Sequence, residues 1–72
     1  MTAQHWDICI VEWLWNLNDL SLYTAAGQIS HTKGSYAEVV QLLAQLGSQG
    51  WEVATCATAG NWLLWTLKRP VA

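Results

Sequence analysis

Residues 6–15 are dense in β-branched and aromatic side chains and contain no Gly or Pro, a composition that favours a β-strand. Alternate side chains of a strand point to opposite faces, and both faces of this segment are apolar. One face carries Cys9, Val11, Trp13 and Trp15, and the other carries Ile8, Ile10, Leu14 and the acid Glu12. A solvated face would be polar, so the pattern predicts a strand covered on both sides, by a helix on one and by another subunit on the other.

The chain becomes more polar after this segment. Residues 16–19 are a cluster of turn-forming residues. Residues 20–30 indicate a weaker second strand, in which Gly27 locally lowers the strand propensity. Residues 31–34, His-Thr-Lys-Gly, are polar and end in Gly, so we expect them to form a solvated loop.

A helix is predicted to begin after Ser35. Glu38 stands three positions later, and the Ser-x-x-Glu spacing is that of a capping box, which satisfies free N–H groups at a helix start. An apolar stripe at helical spacing follows, made of Tyr36, Val39, Val40, Leu43 and Leu46, with Glu38, Gln41 and Gln45 on the opposite side. Gly47 is expected to end the helix, with Gly50 as the alternative.

Two further strands are predicted over residues 51–58 and 61–69, joined by a tight turn at Ala59-Gly60 and closed by Pro70. The sequence therefore predicts one α+β domain over residues 1–72. Its expected architecture is a four-stranded, mainly antiparallel sheet in the order β-β-α-β-β, with one helix packed on one face. A single helix covers only one face of a sheet, so the other face must be solvated or paired.

Composition strengthens the expectation of a paired face. Hydrophobic residues make up 53% of the chain and charged residues 11%, whereas ordinary soluble domains carry about 25% charged residues. A domain of this length buries only about 60% of the surface that its unfolded chain exposes. Six Trp and two Tyr add large apolar side chains that need cover. We therefore expect a homo-oligomer.

Charge and sequence pattern exclude several classes of protein. Three basic residues against five acidic ones give a net charge of −2, which is not the electrostatic footprint of a general nucleic-acid binder. No apolar run approaches the roughly 18 residues of a membrane span, and the start of the chain does not have the pattern of a secretory signal. Two cysteines do not make a disulfide scaffold, so a reducing cytoplasm is the expected compartment.

No metal, cofactor or catalytic centre is expected. The soft and imidazole ligands lack the close paired spacing of zinc sites; they are His5, Cys9, His31 and Cys56. Glu12 and Glu52 each lie between large apolar residues, where a desolvated carboxylate is suited to proton transfer. The alternative is a polar rim or an ion pair with Lys68 or Arg69. Since no nucleophile–base arrangement or carboxylate dyad is recognisable, we expect a protein that is not an enzyme.

The tryptophans suggest how such a protein would work. Four of them are expected to mark either an oligomer interface on the helix-free sheet face or a surface for ligand stacking: Trp13, Trp15, Trp62 and Trp65. The first hypothesis is an interaction module that assembles with itself. The alternative is a binder of a planar small molecule or of single-stranded nucleic acid, although only Lys68 and Arg69 beside Trp65, and Lys33, supply cations.

The C-terminal half carries a family resemblance. Residues 42–53 read Leu-Leu-Ala-Gln-Leu-Gly-Ser-Gln-Gly-Trp-Glu-Val, and the chain ends its last predicted strand in Lys68-Arg69. Over residues 36–70 this resembles the bacterial family catalogued as domain of unknown function 4177, with Leu46-Gly47 and Gly50-Trp51-Glu52 as the specific part. The first 35 residues are longer and richer in Trp than is expected of that family. The resemblance implies a compact module of sheet and helix, and it implies no activity.

Overall fold

The apolar segment near the N-terminus forms the central strand of an antiparallel sheet. The computed structural model describes residues 5–71. Its elements are β1 (Trp6–Leu14), β2 (Asp19–Thr24), β3 (Gly27–Lys33), α1 (Tyr36–Ser48), β4 (Glu52–Ala59) and β5 (Trp62–Pro70). The strand order is β3-β2-β1-β5-β4, and every neighbouring pair is antiparallel. An α+β fold with one helix is thus confirmed, but the sheet has five strands where four were predicted.

The additional strand comes from residues 20–33. The chain turns at Ala25-Ala26, and Gly27 begins β3 with a φ of 106° that favours glycine. Residues 31–33 end β3, so the prediction of a solvated loop there was wrong. β3 is an edge strand whose side chains are all exposed, and an exposed edge accepts polar residues that otherwise indicate a loop.

The start of α1 agrees with the sequence, whereas its end does not. The capping box forms at Ser35, whose backbone N–H donates a 2.9 Å hydrogen bond to the Glu38 carboxylate. The helix continues through Gly47 to Ser48, and Gly50 adopts the left-handed conformation at a φ of 92°. The prediction of a stop at Gly47 was therefore wrong, and the alternative at Gly50 is confirmed.

The core lies between α1 and one face of the sheet. It is formed by side chains from β1, β2, β5 and α1, namely Cys9, Val11, Trp13, Leu20, Val39, Leu46 and Leu67. α1 covers this face because Val39 and Leu46 project towards the sheet at helical spacing. The helix does not extend over β4, every residue of which is exposed.

Candidate functional site

The sheet face opposite α1 carries a cluster of apolar side chains. Directly opposed residues of an antiparallel ladder lie on the same face, so the register with β1 assigns the side chains of β2 and β5. The apolar residues that point away from α1 are Trp6, Ile8, Ile10, Leu14, Tyr23, Trp62 and Leu64. We call this cluster, with the surface around it, the free sheet face. Ile8 remains 48% exposed there, in contrast to its neighbour Cys9 on the helix side at 1%.

Charged groups on the free sheet face lie mainly at two diagonal corners. At the β2–β3 corner, Lys33 Nζ lies 2.6 Å from Asp19 Oδ1, and His31 Nε2 lies 3.6 Å from the same oxygen. The hydrogen bond from Lys33 is the main reason that the pKa of Asp19 lies below its ordinary value. At the other corner, Lys68 Nζ lies 3.6 Å from Glu52 Oε1. Each corner therefore pairs opposite charges.

Glu12 is the exception to this arrangement. It stands in the middle of the free sheet face, flanked along β1 by Ile10 and Leu14, and opposed by Ser21 and Leu64 on the neighbouring strands. Glu12 is half-buried in the single chain. Because burial of an unpaired charge is costly, any surface that covers this face must leave Glu12 a polar contact.

The structure separates the four tryptophans that were expected on one face. Trp13 is 4% exposed within the core, and Trp65 packs against the core opposite Val11. Both lie under α1, so their placement on the helix-free face was wrong. Trp62 does lie on the free sheet face, opposite Leu14. Trp15 follows β1 and is 42% exposed, and its backbone N–H donates a 3.1 Å hydrogen bond to the carbonyl oxygen of Asn61.

The sequence contained a signal that would have corrected part of this assignment. Trp62 and Trp65 are three positions apart in one strand, and side chains separated by an odd number of residues point to opposite faces. The residues that sequence reasoning missed on the free sheet face are mostly aliphatic and lie on β1 and β5. They alternate with the core residues of the same strands.

A pocket of about 640 Å³ lies beside the N-terminal end of β1. It exists because β2 ends at Thr24, opposite Cys9, while β1 extends further to Trp6. Its walls come from both faces of the sheet and from the β2–β3 turn, and they include Trp6, Tyr23, Trp51 and Arg69.

Two cation–aromatic pairs flank this pocket. Lys68 Nζ lies 4.4 Å from the ring centre of Trp6, and the Arg69 guanidinium lies 4.3 Å from that of Trp51. Arg69 also contacts Asp7, at 3.4 Å between Nε and Oδ2. Lys68 and Arg69 are consecutive in β5 and therefore point to opposite faces, so the two tryptophans do not form one continuous stacking surface.

The remaining reactive groups are dispersed. Cys9 is buried, and desolvation raises the pKa of its thiol, whereas Cys56 is exposed on β4. Among residues 5–71, no group of three or more His, Cys, Asp or Glu side chains has the geometry to hold a metal ion. Over the same residues, no helix has both the length and the apolar character needed to span a membrane.

Comparison with known proteins adds no identity. No family model, no curated protein and no solved structure matches the chain. The resemblance over residues 36–70 therefore stays a prediction.

Proposed function

We propose that this chain is a non-enzymatic interaction module that assembles with itself through the free sheet face. The observation that carries the proposal is the cluster of seven apolar side chains on that face, with paired charges at two of its corners. Contiguous exposed apolar surface of more than a few hundred Å² is typical of an interaction site on a soluble protein.

The size of the face is adequate for an interface. Five strands spaced about 4.8 Å apart, with lengths of about 20 to 30 Å, present about 600 Å² in projection. A stable interface buries about 800 Å² of accessible surface per partner, which is a comparable quantity because side chains roughen the face. Burial of Ile8, which is half exposed, contributes about 1 kcal/mol. Several such residues are needed to offset the entropy lost on association.

A cytoplasmic location belongs to the same proposal. It is supported by the free thiol of Cys56, which is exposed on an edge strand. Exposed unpaired cysteines persist most readily in a reducing compartment.

The test is the mass of the native particle, measured by sedimentation equilibrium at micromolar concentration. We expect the wild-type protein to exceed the 8.0 kDa of one chain, and Ile8→Glu to shift it towards that mass. The new carboxylate stands opposite Lys68 in the ladder, so the fold is retained while the face gains a charge.

Val40→Glu is the matched control for this test. Val40 is a similarly exposed aliphatic residue, but it lies on α1, away from the free sheet face. This variant should keep the wild-type mass. A wild-type protein that sediments as a single chain would contradict the proposal.

The pocket supports a second candidate function, the binding of a planar small molecule. Its volume of about 640 Å³ is within the range of small-molecule sites, and it offers a ring on each side of a bound plane: the indole of Trp51 on one side of the sheet, and the Trp6 indole with the Tyr23 phenol on the other. A flavin-like compound should quench the tryptophan fluorescence, and Trp51→Phe should reduce this quenching while Trp15→Phe leaves it unchanged. Quenching by oligonucleotides instead would favour single-stranded nucleic acid, and no quenching by either would contradict the candidate.

A further inference from the structure

The geometry points to β4 as a second self-association surface: we propose that two copies pair their β4 strands antiparallel across a two-fold axis at Ala57, forming one continuous ten-stranded sheet. This contact involves the edge of the sheet and does not depend on the proposed use of the free sheet face. The strand that pairs with β4 is the β4 of a second copy of this chain.

Residues 55–59 of β4 lack the features that normally protect an edge strand. Native edges are blocked by Lys or Pro, by bulges, or by a covering helix or loop. β4 contains no Lys, Arg or Pro, and all eight of its residues are exposed. Its one acid, Glu52, stands at the start of the strand beside Lys68. Its bulge lies between Val53 and Thr55, which leaves residues 55–59 regular.

The other edge strand is better protected. β3 carries His31 and Lys33, and its pairing with β2 is interrupted near the middle by a bulge at Leu22/Tyr23. The ion pair between Lys33 and Asp19 adds charged groups at that edge. The two edges therefore differ in their capacity to accept another strand.

The hydrogen-bond pattern identifies which backbone groups of β4 are free. Val71 N–H donates to His5 O, and Trp15 N–H donates to Asn61 O, so the odd-numbered residues of β5 bond to β1. The even-numbered residues of β5 consequently bond to β4, where their partners are Thr55, Ala57 and Ala59. The intervening residues, Cys56 and Thr58, direct their N–H and C=O groups outward.

This pattern selects one symmetric register. In a two-fold antiparallel pair centred on Ala57, Cys56 of each copy opposes Thr58 of the other, and the two outward-facing residues exchange four N–H···O=C bonds. Thr55 opposes Ala59, so all five regular residues are used. A register centred on Cys56 would place Thr58 opposite Ala54, where the bulge interrupts the ladder, and would form only the central pair of bonds.

The side chains favour a copy of the same strand as the partner. Residues 55–59 read Thr-Cys-Ala-Thr-Ala, so the pair brings no like charges together and no large side chains into collision. Ala57 occupies the axis in a non-hydrogen-bonded pair, where the Cα atoms are only about 4.5 Å apart and a small residue fits best. The two-fold contact also closes, so it adds one copy and does not extend into a fibre.

Disulfide trapping tests the register. In a Cys56→Ser background, Ala57→Cys places two thiols across the axis at a Cα separation of about 4.5 Å, within the range that a disulfide spans. We expect covalent dimer as the main product of mild oxidation. Thr55→Cys in the same background is the control: its two copies lie about 13 Å apart along the strand and should stay unlinked. Cross-linking of the wild-type protein through Cys56, with none at position 57, would overturn the Ala57 register.

Removal of one free donor tests the contact itself. Thr58→Pro deletes an N–H that faces outward and leaves the bonds between β4 and β5 intact, as is tolerated on an edge strand. We expect its particle mass to be half that of wild type, with unchanged circular dichroism, whereas Thr58→Ala keeps the wild-type mass. Ile8→Glu disrupts only the proposed interface on the free sheet face, so each of the two contacts can be refuted without affecting the other. An unchanged mass for Thr58→Pro together with no cross-link at position 57 would overturn the proposal. Binding of a peptide of another sequence to β4 would not change that conclusion.

Discussion

The indole N–H of Trp13 donates a 2.9 Å hydrogen bond to the carbonyl oxygen of Gly34, 21 residues later in the chain. Gly34 in turn donates its own N–H to the carbonyl oxygen of Asn18 at 2.7 Å. These two bonds fasten the short connection between β3 and α1 to the central strand and to the β1–β2 turn. The helix therefore begins at a fixed position above the core.

Loss of the indole donor should destabilise the fold. Trp13→Phe keeps an aromatic ring in the core but leaves the buried Gly34 carbonyl without this donor, which costs about 1–3 kcal/mol in the free energy of unfolding. Urea denaturation followed by circular dichroism measures the change. Trp15→Phe alters a side chain that is 42% exposed and should shift the midpoint little. Equal losses in the two variants would contradict the role of the hydrogen bond.

Gly34 and Gly47 should respond in opposite ways to substitution by alanine. A Cβ at Gly34 would lie 2.9 Å from Cβ of Glu38, closer than packed carbon atoms approach, so Gly34→Ala should lower the unfolding free energy by about 1–3 kcal/mol. A Cβ at Gly47 meets nothing within 4 Å, and the residue is helical. Gly47→Ala should therefore stabilise the protein by up to about 1 kcal/mol. Thermal melts of both variants provide the comparison, and the same sign for both would be inconsistent with this packing.

Local signals in the sequence were sufficient for the start of α1 and insufficient for the hairpin of β2 and β3. The Ser35–Glu38 box identifies the helix start because its two hydrogen bonds depend only on residues three apart. The turn between β2 and β3 uses Ala25-Ala26 before Gly27, without the Asn-Gly or Asp-Gly pair that typically indicates a hairpin. The local signal present was Gly27, whose positive φ follows the turn, and it was interpreted as a weakness within a single strand.

The sequence predicted that one apolar face of the sheet would be left without a helix, but it did not identify the residues on that face. β1 is apolar on both sides, so alternation alone does not reveal which side meets the helix. That choice depends on where α1 docks, with Val39 and Leu46 against the face of Cys9, Val11 and Trp13. Trp13 therefore lies in the core, whereas Trp6, Ile8 and Ile10 of the same strand lie on the free sheet face.

The two cysteines should differ sharply in reactivity. Cys9 is 1% exposed, and burial raises the pKa of its thiol, so both access and thiolate formation are suppressed. Cys56 is exposed on β4. A thiol reagent such as dithionitrobenzoate should label one cysteine per native chain near neutral pH and two per chain in denaturant. Cys56→Ser should abolish the native labelling, and rapid labelling of that variant would contradict the burial of Cys9.

Acid should weaken the fold by protonating two carboxylates, one bonded to the residue before Gly34 and the other to the residue after it. The pKa of Asp19 is lowered chiefly by the hydrogen bond from Lys33, and the pKa of Glu38 is lowered by hydrogen bonds from the Ser35 hydroxyl and backbone N–H. A carboxyl group whose pKa is lower in the folded state than in the unfolded chain favours folding while it is ionised. This contribution is complete above about pH 5, and it is lost as the pH falls below about 4 towards the folded-state pKa. The double variant Asp19→Asn/Glu38→Gln cannot ionise at these positions, so its urea midpoint should change less between pH 5 and pH 2 than that of wild type at the same protein concentration. The variant should also be less stable than wild type at pH 7, where both native carboxylates are charged. Parallel pH profiles for the two proteins would show that neither contact contributes in the folded state.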